Sequence, residues 1–120
     1  MARHDLIFRI LRVIRSIESS TGLDQLGLSA RAILMFVAER NVEGHHTRSS
    51  DMVQLGGLGT APTVYSRLRE LEEAGWITSA HDPRDGRIKR LTLTPRAEKA
   101  FRQMSKELAR VIARKRRAAD

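Results

Sequence analysis

Three features of the sequence predict a mostly α-helical chain with one small β wing. Apolar residues recur at three- and four-residue spacing along most of its length, and Gly, Ser and Thr mark the breaks between those stretches. A single region, residues 76 to 93, reads instead as two short strands around an Asp-Gly turn. The predicted order is four helices, two strands and a final helix. The 120 residues fit one domain, or one domain plus an oligomerisation element. At 41% hydrophobic and 30% charged the composition is too apolar for a disordered chain. No apolar run approaches the ~18 residues of a membrane span.

Each element follows from its residues. From Arg3 to Ser19, the positions Leu6, Ile7, Ile10, Leu11, Ile14 and Ile17 form a helical stripe, with Arg9, Arg12 and Arg15 mostly off it. Ser19-Ser20-Thr21-Gly22 ends this helix, and an irregular linker leads to Leu28. Ser29 is the predicted N-cap of a second helix reaching Glu43, built on Ile33, Leu34, Phe36 and Val37 and closed by Gly44. Thr47 is expected to cap a short third helix, with Met52, Val53 and Leu55 inward and Asp51 in an early turn. Gly56-Gly57-Leu58-Gly59 breaks it.

Thr60 is the predicted cap of a fourth helix running to Ala74, with Pro62 in the first turn, where a missing N–H costs nothing. Val64, Leu68 and Leu71 face inward, and Gly75 ends it. Residues 76–79 and 88–93 are the two strands, and Asp85-Gly86 has the composition of a tight turn that uses positive φ at Gly86. Thr94-Pro95 opens a long last helix. Ala97, Phe101, Met104, Leu108, Val111 and Ile112 line one side of it; Arg96, Lys99, Arg102, Lys106 and Arg110 line the other. Its end, residues 113–120, is expected to fray. A short helix, a Gly turn, a capped amphipathic helix and a basic hairpin together make a helix-turn-helix with a wing.

Charge says what such an element is for. Residues 1–80 hold nine Lys/Arg and nine Asp/Glu, whereas residues 81–117 hold thirteen Lys/Arg against four acids, Asp82, Asp85, Glu98 and Glu107. The net +8 therefore belongs to the hairpin and last helix. A charge so polarised suits a phosphate-bearing partner. On the fourth helix, Ala61, Thr63, Tyr65, Ser66, Arg67 and Arg69 point outward. Small residues permit close approach to a major groove, and Arg suits phosphates or guanine edges. Thr60 and the free N–H groups beside it suit a phosphate, while Pro62 and Thr63 fix the entry angle. Arg84 and Arg87 flank the hairpin tip, within reach of a minor groove, and Lys89 and Arg90 add phosphate attraction. Asp82 and Asp85 orient an Arg or cap the turn.

Residues 75–94, GWITSAHDPRDGRIKRLTLT, resemble the wing of MarR-family winged helix-turn-helix transcription regulators through Gly75, Asp82, Pro83, Asp85, Arg87, Leu93 and Thr94. PTVYSRLRELEEAGWI is similar to the family's recognition helix through Thr63, Val64, Leu68, Leu71, Glu72 and Gly75. The resemblance implies a homodimer formed by the first and last helices, recognition helices in successive major grooves, and wings in flanking minor grooves. Arg87 is then the wing arginine at DNA and Asp85 its orienting partner. Ser79, Ala97 and Arg67 depart from the family pattern, which commonly has a basic residue, a Gly and an apolar residue there.

The dimer expectation also rests on two apolar helix faces that one small monomer covers poorly: Leu6, Ile7, Ile10, Ile14 and Ile17, with Phe101, Met104, Leu108 and Ile112. The organisation predicted is a dimerisation helix over residues 1–20, a DNA-binding lobe over 28–94, and a dimerisation helix with a basic tail over 95–120, in a single compact unit. The expected function is a dimeric repressor that occupies a palindromic operator on double-stranded DNA. A small-molecule effector is a further partner in this reading, with no residue that names it. Two alternatives stay open: a plasmid, phage or nucleoid accessory DNA-binding protein without effector sensing, and a winged-helix module that binds protein.

Other chemistries find little support. With no Cys there is no disulfide, thiol catalysis, Cys-based zinc site or cysteine redox switch. His45-His46 near Asp51 lacks a third ligand at helical spacing, so no metal is expected. Gly56-Gly57-Leu58-Gly59 lacks the Lys-Ser/Thr of a phosphate loop, and no catalytic constellation is evident, so neither an enzyme nor a cofactor is predicted. MARHDLIFRI lacks the continuous apolar core of a signal peptide, and a cytoplasmic location without membrane contact is expected.

Overall fold

The computed structural model describes residues 4–45, 47–54 and 57–119, with side chains described as far as Arg114. Expectations that fall on Arg3, His46, Leu55 and Gly56, and on the side chains of residues 115–120, lie outside the described residues. The elements in order are α1 (Asp5–Thr21), a 3-10 turn (Leu23–Gln25), α2 (Leu28–Val42), β1 (Thr47–Arg48), α3 (Ser49–Gln54), α4 (Ala61–Glu73), β2 (Ile77–His81), β3 (Lys89–Leu93) and α5 (Pro95–Ala119). They fall into two units, Leu26–Ala97 and Met1–Gln25 with Glu98–Asp120.

The unit Leu26–Ala97 is built around α2. Apolar residues run round this helix, as suits an element packed on several sides. Ile33, Leu34 and Val37 are fully buried where α2 meets α4 and β3. Val64, Leu68 and Leu71 of α4, with Trp76 from the turn after it and Ile77 and Leu91 from the sheet, complete the core, each such side chain contributing roughly 1.5–3 kcal/mol. The N-cap of α2 is Gly27, in extended conformation and without a side-chain cap, so Ser29 lies inside the first turn. The buried register of Ala30, Ile33 and Leu34 starts the helix earlier than the Ser signal suggests.

The sheet has three antiparallel strands in the order β1-β3-β2, one more than the sequence predicts. Thr47 does not cap α3; it pairs with Leu91 in β1 and is fully buried. Asp51 does the capping, its carboxylate accepting the Arg48 amide at 3.1 Å, which is one half of a capping box. A two-residue strand has no period to read, and only its pairing with β3 defines it. β2 and β3 pair from Ile77↔Leu93 to His81↔Lys89, so β2 begins one residue later and ends two residues later than predicted.

Two junctions hold the hairpin to the helices. α4 ends in a Schellman motif: Gly75 donates to the Glu72 carbonyl at 3.0 Å and Trp76 to that of Leu71 at 2.9 Å, with Gly75 at φ 81°. Buried Leu71 and Trp76 supply the apolar contact that accompanies this motif. Thr94 closes the hairpin. Its hydroxyl donates to the Gly75 carbonyl at 2.7 Å, its amide to that of Trp76 at 3.1 Å, and its Oγ1 accepts the Ala97 amide at 3.2 Å.

In the other unit, α1 and α5 are both strongly amphipathic. Gly22, at φ 88°, terminates α1 with its amide on the Glu18 carbonyl at 3.1 Å. Ile17, Leu23, Ala100 and Met104 are buried, whereas Ile7, Phe8, Leu11 and Ile112 are exposed. The backbone of α5 stays helical to Ala119, beyond the point where fraying is expected. Among the described residues, no helix is long and apolar enough to cross a membrane.

Candidate nucleic-acid interface

α4 presents the outward face that its inward stripe requires. With Val64, Leu68 and Leu71 buried, Tyr65, Ser66 and Arg69 are exposed and Thr63 is half-buried. Thr60 is the N-cap by backbone conformation, but its hydroxyl donates to Thr63 Oγ1 at 3.1 Å and makes no side-chain cap. The first-turn N–H groups are thus left uncapped by that side chain, a geometry suited to an anion. Pro62 sits in that first turn. Arg67 leans along the helix to Glu70, with Nη1 3.1 Å from Oε2. That pair is half-exposed and worth little, so it is easily exchanged for another anion.

The hairpin tip is organised by its two aspartates. Asp82 is buried; its Oδ1 accepts the Arg84 amide at 2.7 Å and its Oδ2 accepts Arg90 Nε at 2.8 Å. The Arg84 amide, with Arg90 second among the favourable contacts, holds the Asp82 carboxyl below its ordinary 3.8 against an opposing desolvation. Asp85 Oδ1 accepts both the Arg87 amide at 3.1 Å and Arg87 Nε at 3.3 Å. The Ile88 amide donates to the Asp85 carbonyl at 3.0 Å, closing a β-turn over Gly86 and Arg87. Gly86 does not take positive φ, contrary to the expectation for this turn.

These contacts sort the basic side chains. Arg87 is 93% exposed, so Asp85 steers it without covering it. Arg84 and Lys89 are also exposed. Arg90 is different: its guanidinium is bound to the buried Asp82, so it also braces the hairpin.

One groove of about 400 Å3 gathers much of the set. It is lined by Ser49, by Tyr65, Leu68, Arg69 and Glu72 of α4, by Ser79, Lys89 and Leu91 of the sheet, and by Arg87 of the hairpin tip. Tyr65, Arg69, Arg87 and Lys89 are therefore neighbours across two elements. Thr60, Pro62, Thr63, Ser66, Arg67, Arg84 and Arg90 lie outside this lining.

Sequence reasoning missed several supporting residues. Ser79 donates its hydroxyl to Glu72 Oε1, tying β2 to α4. Arg96, assigned to the solvent side of the last helix, stacks its guanidinium 4.0 Å from the Trp76 ring centroid and donates to the Ala74 carbonyl at 2.6 Å. Its position, one residue after Pro95 and facing back over the hairpin root, is a relation no local pattern contains.

Residues 26–97 match the family of winged helix DNA-binding domains. No curated protein matches the chain. Solved structures do. A point variant of S. aureus MepR bound to an oligodeoxyribonucleotide aligns with a TM-score of 0.62 at 18% identity, over 94% of this chain and 81% of that one. S. aureus MepR bound to ethidium bromide aligns with a TM-score of 0.63 at 21% identity, over 96% and 83% of the two chains. AbsC, a MarR family transcriptional regulator from Streptomyces coelicolor, aligns with a TM-score of 0.57 at 18% identity, over 89% and 71%. With more than half of its residues inside the matched stretch, the chain belongs to the winged helix DNA-binding domain family, and its fold is that of the MarR-family regulators.

Proposed function

We propose that the protein is a dimeric transcription repressor that occupies a palindromic operator, with α4 in the major groove and the β2–β3 wing at the minor groove. The observation that carries this reading is the shared groove, where Tyr65 and Arg69 of α4 stand beside Arg87 and Lys89 of the wing. A reading helix and a cationic hairpin tip meet there as one surface. Thr63, Ser66 and Arg67 border the base edges, Thr60 and Pro62 set the entry of the helix, and Arg84 and Arg87 anchor the wing. Asp82, Asp85 and Gly86 support that anchor.

The exposed apolar residues Ile7, Phe8, Leu11 and Ile112 support a homodimer through α1 and α5. Leu6, Ile10, Ile14, Phe101 and Leu108 are half-buried beside them, whereas Ile17 and Met104 are already covered by their own chain. The dimer surface therefore centres on the first half of α1. The oligodeoxyribonucleotide and ethidium bound to S. aureus MepR support double-stranded DNA and a small molecule as partners of this chain. The reading is non-enzymatic and cytoplasmic.

Selection of bound duplexes from a random pool tests it. The expected result is a palindrome whose half-sites lie about one helical turn apart. Failure to enrich any sequence favours a non-selective accessory protein, and absence of duplex binding favours a protein-interaction module. Arg87→Ala is expected to weaken binding to every duplex alike and to reduce the slope of log affinity against log salt by about 1. An unchanged slope in an anisotropy titration would remove Arg87 from the interface.

A further inference from the structure

A second cationic surface lies in the unit Met1–Gln25 with Glu98–Asp120, and it shares no residue with the α4–wing groove. There α1 and α5 enclose a cleft of about 340 Å3 lined by Arg9, Arg12 and Val13 on one side and Val111 and Arg114 on the other. Spacings of three and four residues put each set on one helix face. Three guanidiniums thus share one concavity with two isopropyl groups.

Nearby carboxylates leave that charge largely uncompensated. Asp5 Oδ2 is 3.0 Å from Arg9, and Glu107 Oε1 is 2.9 Å from Arg110, a residue outside the lining. Among the described residues, no ion pair reaches Arg12 or Arg114. Like charges gathered in one cleft repel, and an anion bridging them removes the repulsion while gaining charge-assisted hydrogen bonds. A single carboxylate satisfies one guanidinium fork; a phosphate monoester, with three terminal oxygens and up to two charges, can serve several. The volume falls within the roughly 300–1,000 Å3 typical of small-molecule sites. Val13 and Val111 offer an apolar wall to whatever the phosphate is attached to.

We propose that this cleft binds a small phosphorylated organic molecule, its phosphate held by Arg12 and Arg114 with help from Arg9, and its apolar part against Val13 and Val111. The inference stands on the helical unit alone and is independent of the DNA-binding reading.

Titration calorimetry with phenyl phosphate tests it, with inorganic phosphate as the reference ligand. The expected result is one phenyl phosphate per chain, bound more tightly than inorganic phosphate. Arg12→Gln and Arg114→Gln should each weaken it about ten-fold, and Arg87→Ala should leave it unchanged. Methyl spectra of the unmodified protein should place the largest shifts at Val13 and Val111, a readout that needs no variant to fold. The proposal is overturned if phenyl phosphate gives no binding heat, or if the Arg12→Gln/Arg114→Gln double variant, folded by circular dichroism, binds as well as the original. Methyl shifts confined to residues 26–97, or loss of binding in Arg87→Ala, would relocate the anion to the α4–wing groove and equally overturn it. So would an outcome in which the double variant loses duplex affinity while the original never binds phenyl phosphate, since the cleft would then be a DNA contact.

Discussion

Asp82 shows how one buried carboxylate separates cations by role. By accepting the Arg84 amide it shapes the start of the tip, and by binding the Arg90 guanidinium it turns that arginine inward. Because its folded-state pKa lies below the ordinary 3.8, Asp82 contributes stability above that value and loses it as pH falls through the lower, folded value. Asp82→Asn is therefore expected to lower the melting temperature at neutral pH. The deficit should shrink as the solution is acidified below 3.8, where the original protein loses the same charge. An equal deficit at both ends of the pH range would assign the effect to packing instead. Asp85 acts on a different cation and in a different way. It steers Arg87 from the side and leaves it in solvent, so Arg87 keeps its charge available.

Among the elements, the join between α4 and β2 controls where the wing stands. Gly75 carries the helix stop, Thr94 pins the far strand to the same turn, and Arg96 stacks on Trp76 beneath it. A Cβ at Gly75 would meet Arg96 Nη1 at 3.8 Å, an ordinary contact, so the cost of Gly75→Ala is conformational. Left-handed backbone costs an L-residue about 1–2 kcal/mol, and the urea midpoint should fall accordingly with an unchanged m-value. A changed m-value would mean that the stop reorganises instead of straining. The Glu72–Ser79 hydrogen bond adds a second tie between α4 and β2. These contacts tie the wing to α4 at more than one point.

On the scale of the whole molecule, basic charge and exposed apolar side chains are each concentrated in particular elements. The net +8 sits in the hairpin and last helix, while Ile7, Phe8 and Leu11 expose apolar area on α1. Since these α1 side chains are uncovered, Ile7→Glu with Leu11→Glu should leave the monomer folded and shift sedimentation from the proposed dimer to monomer. Affinity for a palindromic duplex should then fall toward that of a single half-site. Persistence of the dimer in that double variant would move the interface elsewhere.

By itself, the sequence determined the helices, the hairpin, the position of the wing motif and the outward face of α4. These are local: periodicity, a Gly stop, a Pro in a first turn and the spacing of Asp82, Asp85 and Arg87 are all written within a few residues. Tertiary structure alone decided the rest. It turned Thr47 from a cap into a strand paired with Leu91, set Arg90 on Asp82 eight residues away, laid Arg96 over Trp76, and brought Arg69 beside Arg87. The reason is physical. A side chain's partner is chosen by burial and by which strands pair, and both follow from long-range packing that no local spacing encodes.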